Sequence, residues 1–167
     1  KVGAIIGGFE GGLSARRLKT FHASRAHVNT LIQAAGTDMT ARARHLIRNN
    51  GYAANAVESW AGNAVGTGIK PSSGIADAVL KDRVQRLWLR WTDESDAEAL
   101  TDFYGQQRRA ARELFIAGEV FFRIRPRRPE DGLSVPLQLQ MLPAEMLPLN
   151  HNQLLENGHR IRQGIEF

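Results

Sequence analysis

At Gly118 the hydrophobic period of the chain changes. Before it, apolar residues recur at intervals of three and four; after it they alternate with polar ones. These are the spacings of a helix face and of a half-buried strand. A block of helices followed by a block of strands does not suit the strand–helix alternation of a parallel sheet. It predicts the α+β class, with about four helices preceding a small antiparallel β-sheet.

The first helix reads from about Asp38 to Asn50, with Met39, Ala43, Leu46 and Ile47 on one buried stripe. Thr37 or Asp38 can cap its start, and Asn49-Asn50-Gly51 suits a left-handed stop. A second, about Tyr52 to Val65, places Ala53, Ala56, Val57, Trp60, Ala61, Ala64 and Val65 at helical spacing, and the short connection predicts a helical hairpin. Gly66-Thr67-Gly68 ends it. The glycines Gly62, Gly66 and Gly68 close a helix instead of opening one after a strand, so they read as a stop with close helix contact around Gly62, not as a phosphate loop. The third helix covers about Ala76–Thr92, with Leu80, Val84, Leu87, Trp88 and Trp91 on one face and Arg83, Arg86 and Arg90 on the other. The fourth covers about Thr101–Ala117; Phe103, Gln107, Ala110, Ala111, Leu114 and Phe115 face inward, and Arg108, Arg109 and Arg112 outward. All three tryptophans fall on apolar stripes, which favours core packing over base stacking.

Beyond Gly118, Glu119–Arg125 sets Val120, Phe122 and Ile124 on one strand face and Arg123 and Arg125 on the other. Val135–Leu142 alternates in the same way, with Pro136 near its start or on an edge. Pro126–Ser134 is a turn, so the two strands pair as an antiparallel hairpin. Asn157-Gly158 predicts a second hairpin leading into a strand over Arg160–Phe167. The organisation is a Gly-rich basic arm over residues 1–20, a helical part over 21–118 and a β part over 119–167.

The chain's 167 residues suit one domain with a real core. There is no cysteine, hence no disulfide, thiolate metal site or cysteine nucleophile. No apolar run approaches the roughly 18 residues of a membrane span, and the chain reads as a soluble protein of a reducing compartment. The five histidines (His22, His27, His45, His151, His159) show no ligand spacing. No serine sits in a nucleophile elbow, and the acidic run lacks the glycine and terminal glutamate of a calcium loop. The sequence thus offers no catalytic, metal or cofactor site.

Charge carries more information. Lys and Arg number 22 against 17 Asp and Glu, and 18 of the 22 are arginine, whose planar fork suits carboxylate and phosphate. The blocks alternate: residues 1–48 are net +6, residues 93–102 hold five anions and no cation, and residues 103–128 are net +5. Such blocks fit subunit contacts as well as a polyanion track. The candidate contact residues are Arg16 and Arg17 in the arm, Arg44 and Arg48 on the first helix, and Asp93, Glu94, Asp96 and Glu98 in the acidic block. Arg108, Arg109 and Arg112 on the fourth helix complete the helical set, and Arg123, Arg125, Arg127 and Arg128 lie on and after the first strand. The arm is either a solvated terminus or a phosphate or neighbour contact. The acidic residues either cap the fourth helix or meet the arginines of a neighbouring copy. The strand arginines either touch DNA or an acidic neighbour, or guard a solvated edge.

The run from Ala41 through Val57 (ARARHLIRNNGYAANAV), continuing through Asn63–Ile69 (NAVGTGI), resembles the N-terminal part of the lambda-type portal proteins of tailed bacteriophages. Trp88–Asp93, Phe115–Arg125, Pro136–Leu142 and Gly164–Phe167 are similar as well, so the resemblance spans roughly residues 15–167. It implies a portal subunit, about a dozen copies of which form a homo-oligomeric ring at one capsid vertex. Double-stranded DNA is packaged and later ejected through that ring. Its implied partners are the major capsid protein, terminase and head–tail connector proteins, with no membrane and no cofactor; its implied place is the virion, after assembly in the host cytoplasm. It further implies that this chain is the outer, wing-like part of a longer subunit whose stem and clip lie downstream. On that expectation, Arg108, Arg109 and Arg112 of one copy face Asp93–Asp102 of the next. The alternative from the residues alone is a stand-alone arginine-rich DNA-binding module.

Overall fold

The computed structural model describes residues 16, 20, 24–156 and 158–167. Most of the expected arm, Arg17 included, and Asn157 of the expected turn lie outside the described residues. Four helices, α1 (Val28–Asn49), α2 (Gly51–Val65), α3 (Ala78–Glu94) and α4 (Phe103–Ala117), are followed by five short strands: β1 (Phe121–Pro126), β2 (Leu137–Leu142), β3 (Gln153–Leu154), β4 (Arg160–Arg162) and β5 (Ile165–Glu166). The chain is α+β. The strands form two sheets instead of one, an antiparallel β1–β2 ribbon and a β3–β4–β5 meander.

Short polar side chains set the helix starts. The Asn50 side chain accepts from the N–H groups of Tyr52 and Ala53 at 2.9 and 3.2 Å, while its own N–H donates to the Leu46 carbonyl, so one residue ends α1 and begins α2. It does this in extended backbone (φ −131°), not in the left-handed form expected from Asn49-Asn50-Gly51. Asp77 caps α3 through the N–H groups of Val79 and Leu80, and Asp102 caps α4 through Gly105 at 2.7 Å. Gly118 ends α4 at φ 82°. Asn50→Ala should cost about 1 kcal/mol; chemical denaturation measures it.

The core lies between α2 and α4, with Val57, Ala61 and Ala111 buried and Trp60 stacked on Phe115 at 5.2 Å. The C-terminal end of α3 joins it through Trp88, Trp91 and Phe103, whose rings lie 5.1–5.2 Å apart. The tryptophans therefore pack as expected. Several expected apolar positions do not. Met39 and Leu46 on α1 are 65% and 52% exposed, because the inward stripe of α1 is rotated to Gly36, Thr40, Ala43, Arg44 and Ile47. On α4, Leu114 and Phe115 are each 46% exposed, and the buried places are taken by Gln106, Ala111 and Glu113.

The β1–β2 ribbon is the expected antiparallel hairpin, with Phe122 opposite Met141, Ile124 opposite Leu139 and Arg125 opposite Gln138. Pro136 sits just before β2, its carbonyl accepting from Arg127 N–H. Phe122 and Ile124, expected on a half-buried face, are 40% and 66% exposed because no layer covers them. On its far side β2 pairs in parallel with residues 95–97: Leu139 N–H donates to the Ser95 carbonyl at 2.7 Å, and Ala97 N–H to the Leu139 carbonyl at 2.9 Å. Trp91 Nε1 donates to the Leu137 carbonyl at 2.8 Å and Gln106 Nε2 to that of Leu139 at 3.0 Å, so two helices clamp this strand. The strand expected over Arg160–Phe167 is broken by a two-residue turn. Gln163 and Gly164 have φ 51° and 81°, the double positive φ of a tight hairpin, and β4 and β5 pair across it.

Candidate assembly and nucleic-acid interface

The arginines fall into two populations. One is neutralised inside the chain. Arg44 projects from α1 toward α4, where Nη1 donates to Glu113 Oε2 at 3.2 Å and Nη2 makes a shorter contact with Oε1 of the same carboxylate. The other edge of its fork grips Glu145, Nη2 donating to Oε2 at 2.7 Å and Nε to Oε1. Glu113 is 8% exposed and also accepts from the N–H of buried Ala144 at 3.3 Å. One guanidinium thus joins α1, α4 and the 3-10 turn Ala144–Met146, a geometry lysine cannot reproduce. Hydrogen bonding to Glu145 and Glu113 holds Arg44 protonated more firmly than an ordinary arginine. The same bond from Arg44 holds the Glu145 carboxyl below the usual range, against partial desolvation acting the other way.

The outward arginines of α4 belong to this population too. Arg108 Nη2 donates to Glu58 of α2 at 2.8 Å, and Arg112 reaches the other oxygen of the same carboxylate. Arg109 lies 3.7 Å from Asp96 and 4.0 Å from Glu98. The meeting of Arg109 with the acidic block therefore takes place within one chain.

The acidic block is more ordered than its composition suggests. Asp96 is 3% exposed; its carboxylate accepts from the N–H groups of Glu98, Leu100 and Thr101 at 3.1–3.2 Å. Glu94 accepts from Ser134 N–H at 2.8 Å, and Glu98 from Gln140 Nε2 at 3.3 Å. Only Asp102 serves as the expected α4 cap. Asp93 is exposed and makes no ion pair among the described residues.

The second population, without a carboxylate partner among the described residues, includes Arg42 and Arg48 on α1, Arg83 and Arg90 on α3, Arg123 and Arg125 on β1, and Arg160 and Arg162 on β4. Arg16 is exposed. Arg127 Nε donates to Gln138 Oε1 at 2.8 Å, and Arg128 N–H donates to Asp131 at 3.1 Å. Apolar surface accompanies these cations. A slot of about 290 Å³ is lined by Val84, Leu87, Trp88, Trp91, Val135 and Leu137. A groove of about 520 Å³ runs between α1 and the C-terminal meander, past Leu31, Ile32, Met39, Leu149 and Ile165.

Sequence reasoning missed Gln106 and Glu113, the polar residues buried seven positions apart on α4. Their common helical face was a usable signal, but an apolar-stripe template passes over polar residues. It also placed close packing at Gly62, where a Cβ would meet nothing within 4 Å; the close approach is at Gly68, where a Cβ would press into the Tyr104 ring. That loop is pinned further by Gln107, which accepts from Ile69 N–H at 2.7 Å and donates to its carbonyl at 3.1 Å.

Among the described residues no group of three or more His, Asp and Glu side chains could hold a metal ion, and no helix is long and apolar enough to cross a membrane. What the surface presents is contact chemistry: an internally neutralised helical frame, with unneutralised arginines and open apolar faces outside it. No curated protein matches the chain. The model of the phage portal protein family, lambda type, matches residues 14–167, so the chain belongs to the lambda family of phage portal proteins.

Proposed function

We propose that the chain is the outer, wing-like part of a portal subunit that closes a homo-oligomeric ring at one capsid vertex, through which double-stranded DNA is packaged and ejected. The observation that carries this reading is the family match over residues 14–167. The chemistry supports it. A ring subunit needs a rigid body and a heterologous, self-closing contact, not a catalytic residue. Rigidity comes from Arg44, Arg108, Arg109 and Arg112, which are spent on contacts inside the subunit. Neighbours are met by what remains: the exposed Arg16, Arg48 and Asp93, Arg17 of the basic segment, and the apolar slot and groove. Terminase, the major capsid protein and head–tail connector proteins dock on the assembled ring. The subunit is assembled in the host cytoplasm and carried in the virion.

The test is the hydrodynamic mass of the full-length subunit, with electron microscopy of the same sample. Closed rings of about a dozen copies are expected. A monomer at high concentration, with or without capsid partners, contradicts the reading.

A further inference from the structure

The two populations of arginine lead to one more site. We propose that the arginine face of the β1–β2 ribbon, exposed Arg123 with half-buried Arg125 and Arg127, is a contact for the phosphate backbone of duplex DNA that does not read sequence.

Pairing places Arg123 opposite Gln140 and Arg125 opposite Gln138, so all four side chains share one face of the ribbon. Arg127 lies just past the strand end but bonds Gln138, which brings it to the same face. Alternate residues of a strand are about 6.7 Å apart, which sets the backbone spacing of Arg123 and Arg125. That spacing is comparable to the separation of successive phosphates along one nucleic-acid strand. β1 is also the free edge of its ribbon, since the other side of β2 is taken by residues 95–97. No neighbouring strand therefore blocks approach to the row.

Charge compensation separates this row from Arg44 and from the arginines of α4. The helical arginines Arg44, Arg108, Arg109 and Arg112 each have carboxylates of the same chain within 4.0 Å. Arg123 and Arg125 have none among the described residues, and Arg127 meets only a neutral amide. The arginine fork binds phosphate oxygens in pairs.

The same bonds argue against sequence reading. Glutamine is one of the side chains that recognise base edges, but both glutamines of this face are engaged. Gln138 donates to the carbonyls of Glu94 and Asp96 at 2.7 and 3.3 Å and accepts from Arg127. Gln140 donates to Glu98. Apart from the Glu98 carboxylate that accepts from Gln140, the face offers cations and no free base-reading amide, which positions a duplex without reading it. The aromatic residue on this face, Phe121, is half-buried at the start of β1, so the face lacks the stacking platform of a single-strand binder. The contact does not depend on ring closure; a chain that stayed monomeric would keep it, and a ring could form without it.

The experiment is fluorescence anisotropy of the chain with labelled duplexes of about 20 base pairs, titrated over a series of salt concentrations. Wild type is compared with R123Q/R125Q and with R83Q/R90Q, which removes the same charge from two uncompensated arginines of α3. Circular dichroism checks that each variant is folded. The inference expects salt-dependent binding by wild type and equal affinity for duplexes of different sequence. It expects R123Q/R125Q to flatten the slope of log K against log salt by about 2, one contact per arginine, while R83Q/R90Q leaves that slope nearly unchanged. Equal losses in the two variants would mean diffuse attraction by net charge and overturn the site. So would no binding at low salt, tenfold discrimination between duplexes, tighter binding of a single strand, or competition by polyglutamate as effective as by unlabelled duplex.

Discussion

Arg44→Ala should lower the stability of the chain by about 2–3 kcal/mol, a fall in thermal midpoint of roughly 4–12 °C. The reason is what remains after truncation. Glu113, with a side chain 10% exposed, keeps only the N–H of Ala144, and its charge is left without a counter-ion in a desolvated place. The full cost of breaking a buried pair, about 3–5 kcal/mol, is not expected, because Arg44 itself is 24% exposed and water can enter. Arg44→Lys should recover only part of the loss, since an ammonium cannot hold both carboxylates in a planar fork. Arg44 also governs acid sensitivity. Its hydrogen bond lowers the folded-state pKa of Glu145 below the ordinary value of 4.5. A depressed carboxylate contributes stability that is present above the unfolded pKa and disappears as the pH falls through the lower, folded one. Between about pH 6 and pH 3, wild type should therefore lose more stability than Arg44→Ala, which has no such contribution to lose. Urea denaturation at a series of pH values measures the difference.

Gly68→Ala should cost a similar amount, about 2–4 kcal/mol, from two sources that act together. Gly68 has φ 106°, a backbone region in which an L side chain is strained by about 1–3 kcal/mol. A Cβ there would also stand 2.7 Å from Cγ of Tyr104, whose ring backs the loop, so the ring must move. Gly62→Ala is the control. Its position is open, and alanine favours the helix, so no loss is expected there. Equal losses at the two glycines in thermal unfolding would contradict both the backbone strain at Gly68 and its contact with Tyr104.

Much of the fold is legible in the sequence because its punctuation is chemical. Asn50, Asp102 and Gly118 each carry a backbone role that follows from residue type, and the helix ends lie there. The first turns of α1 are not legible. Val28, Asn29, Thr30 and Gly36 are poor helix formers, and their segment is held from far along the chain, by Gln163 donating to the Asn29 carbonyl and by Leu149 against Gly36. The turn at Gln163–Gly164 is hidden for a related reason: glutamine gives little sign of positive φ. The candidate interface was half legible. Arginine positions can be counted, but whether each is neutralised depends on Glu58, Asp96, Glu113 and Glu145, which the fold brings in from other elements. Spacing along one helix cannot show that. Asp96 shows the opposite failure: its neighbours in sequence are acidic and polar, yet it is buried because its carboxylate accepts three backbone N–H groups.

The division of the arginines into an internal frame and an external contact set is the centre of this account. Thermal unfolding of R123Q/R125Q beside R44Q tests it most directly. The ribbon variant should melt within about 2 °C of wild type, because Arg123 is exposed and neither Arg123 nor half-buried Arg125 has a carboxylate partner among the described residues to lose. R44Q should melt several degrees lower. A ribbon variant that melts as low as R44Q, or an R44Q variant indistinguishable from wild type, would contradict the division.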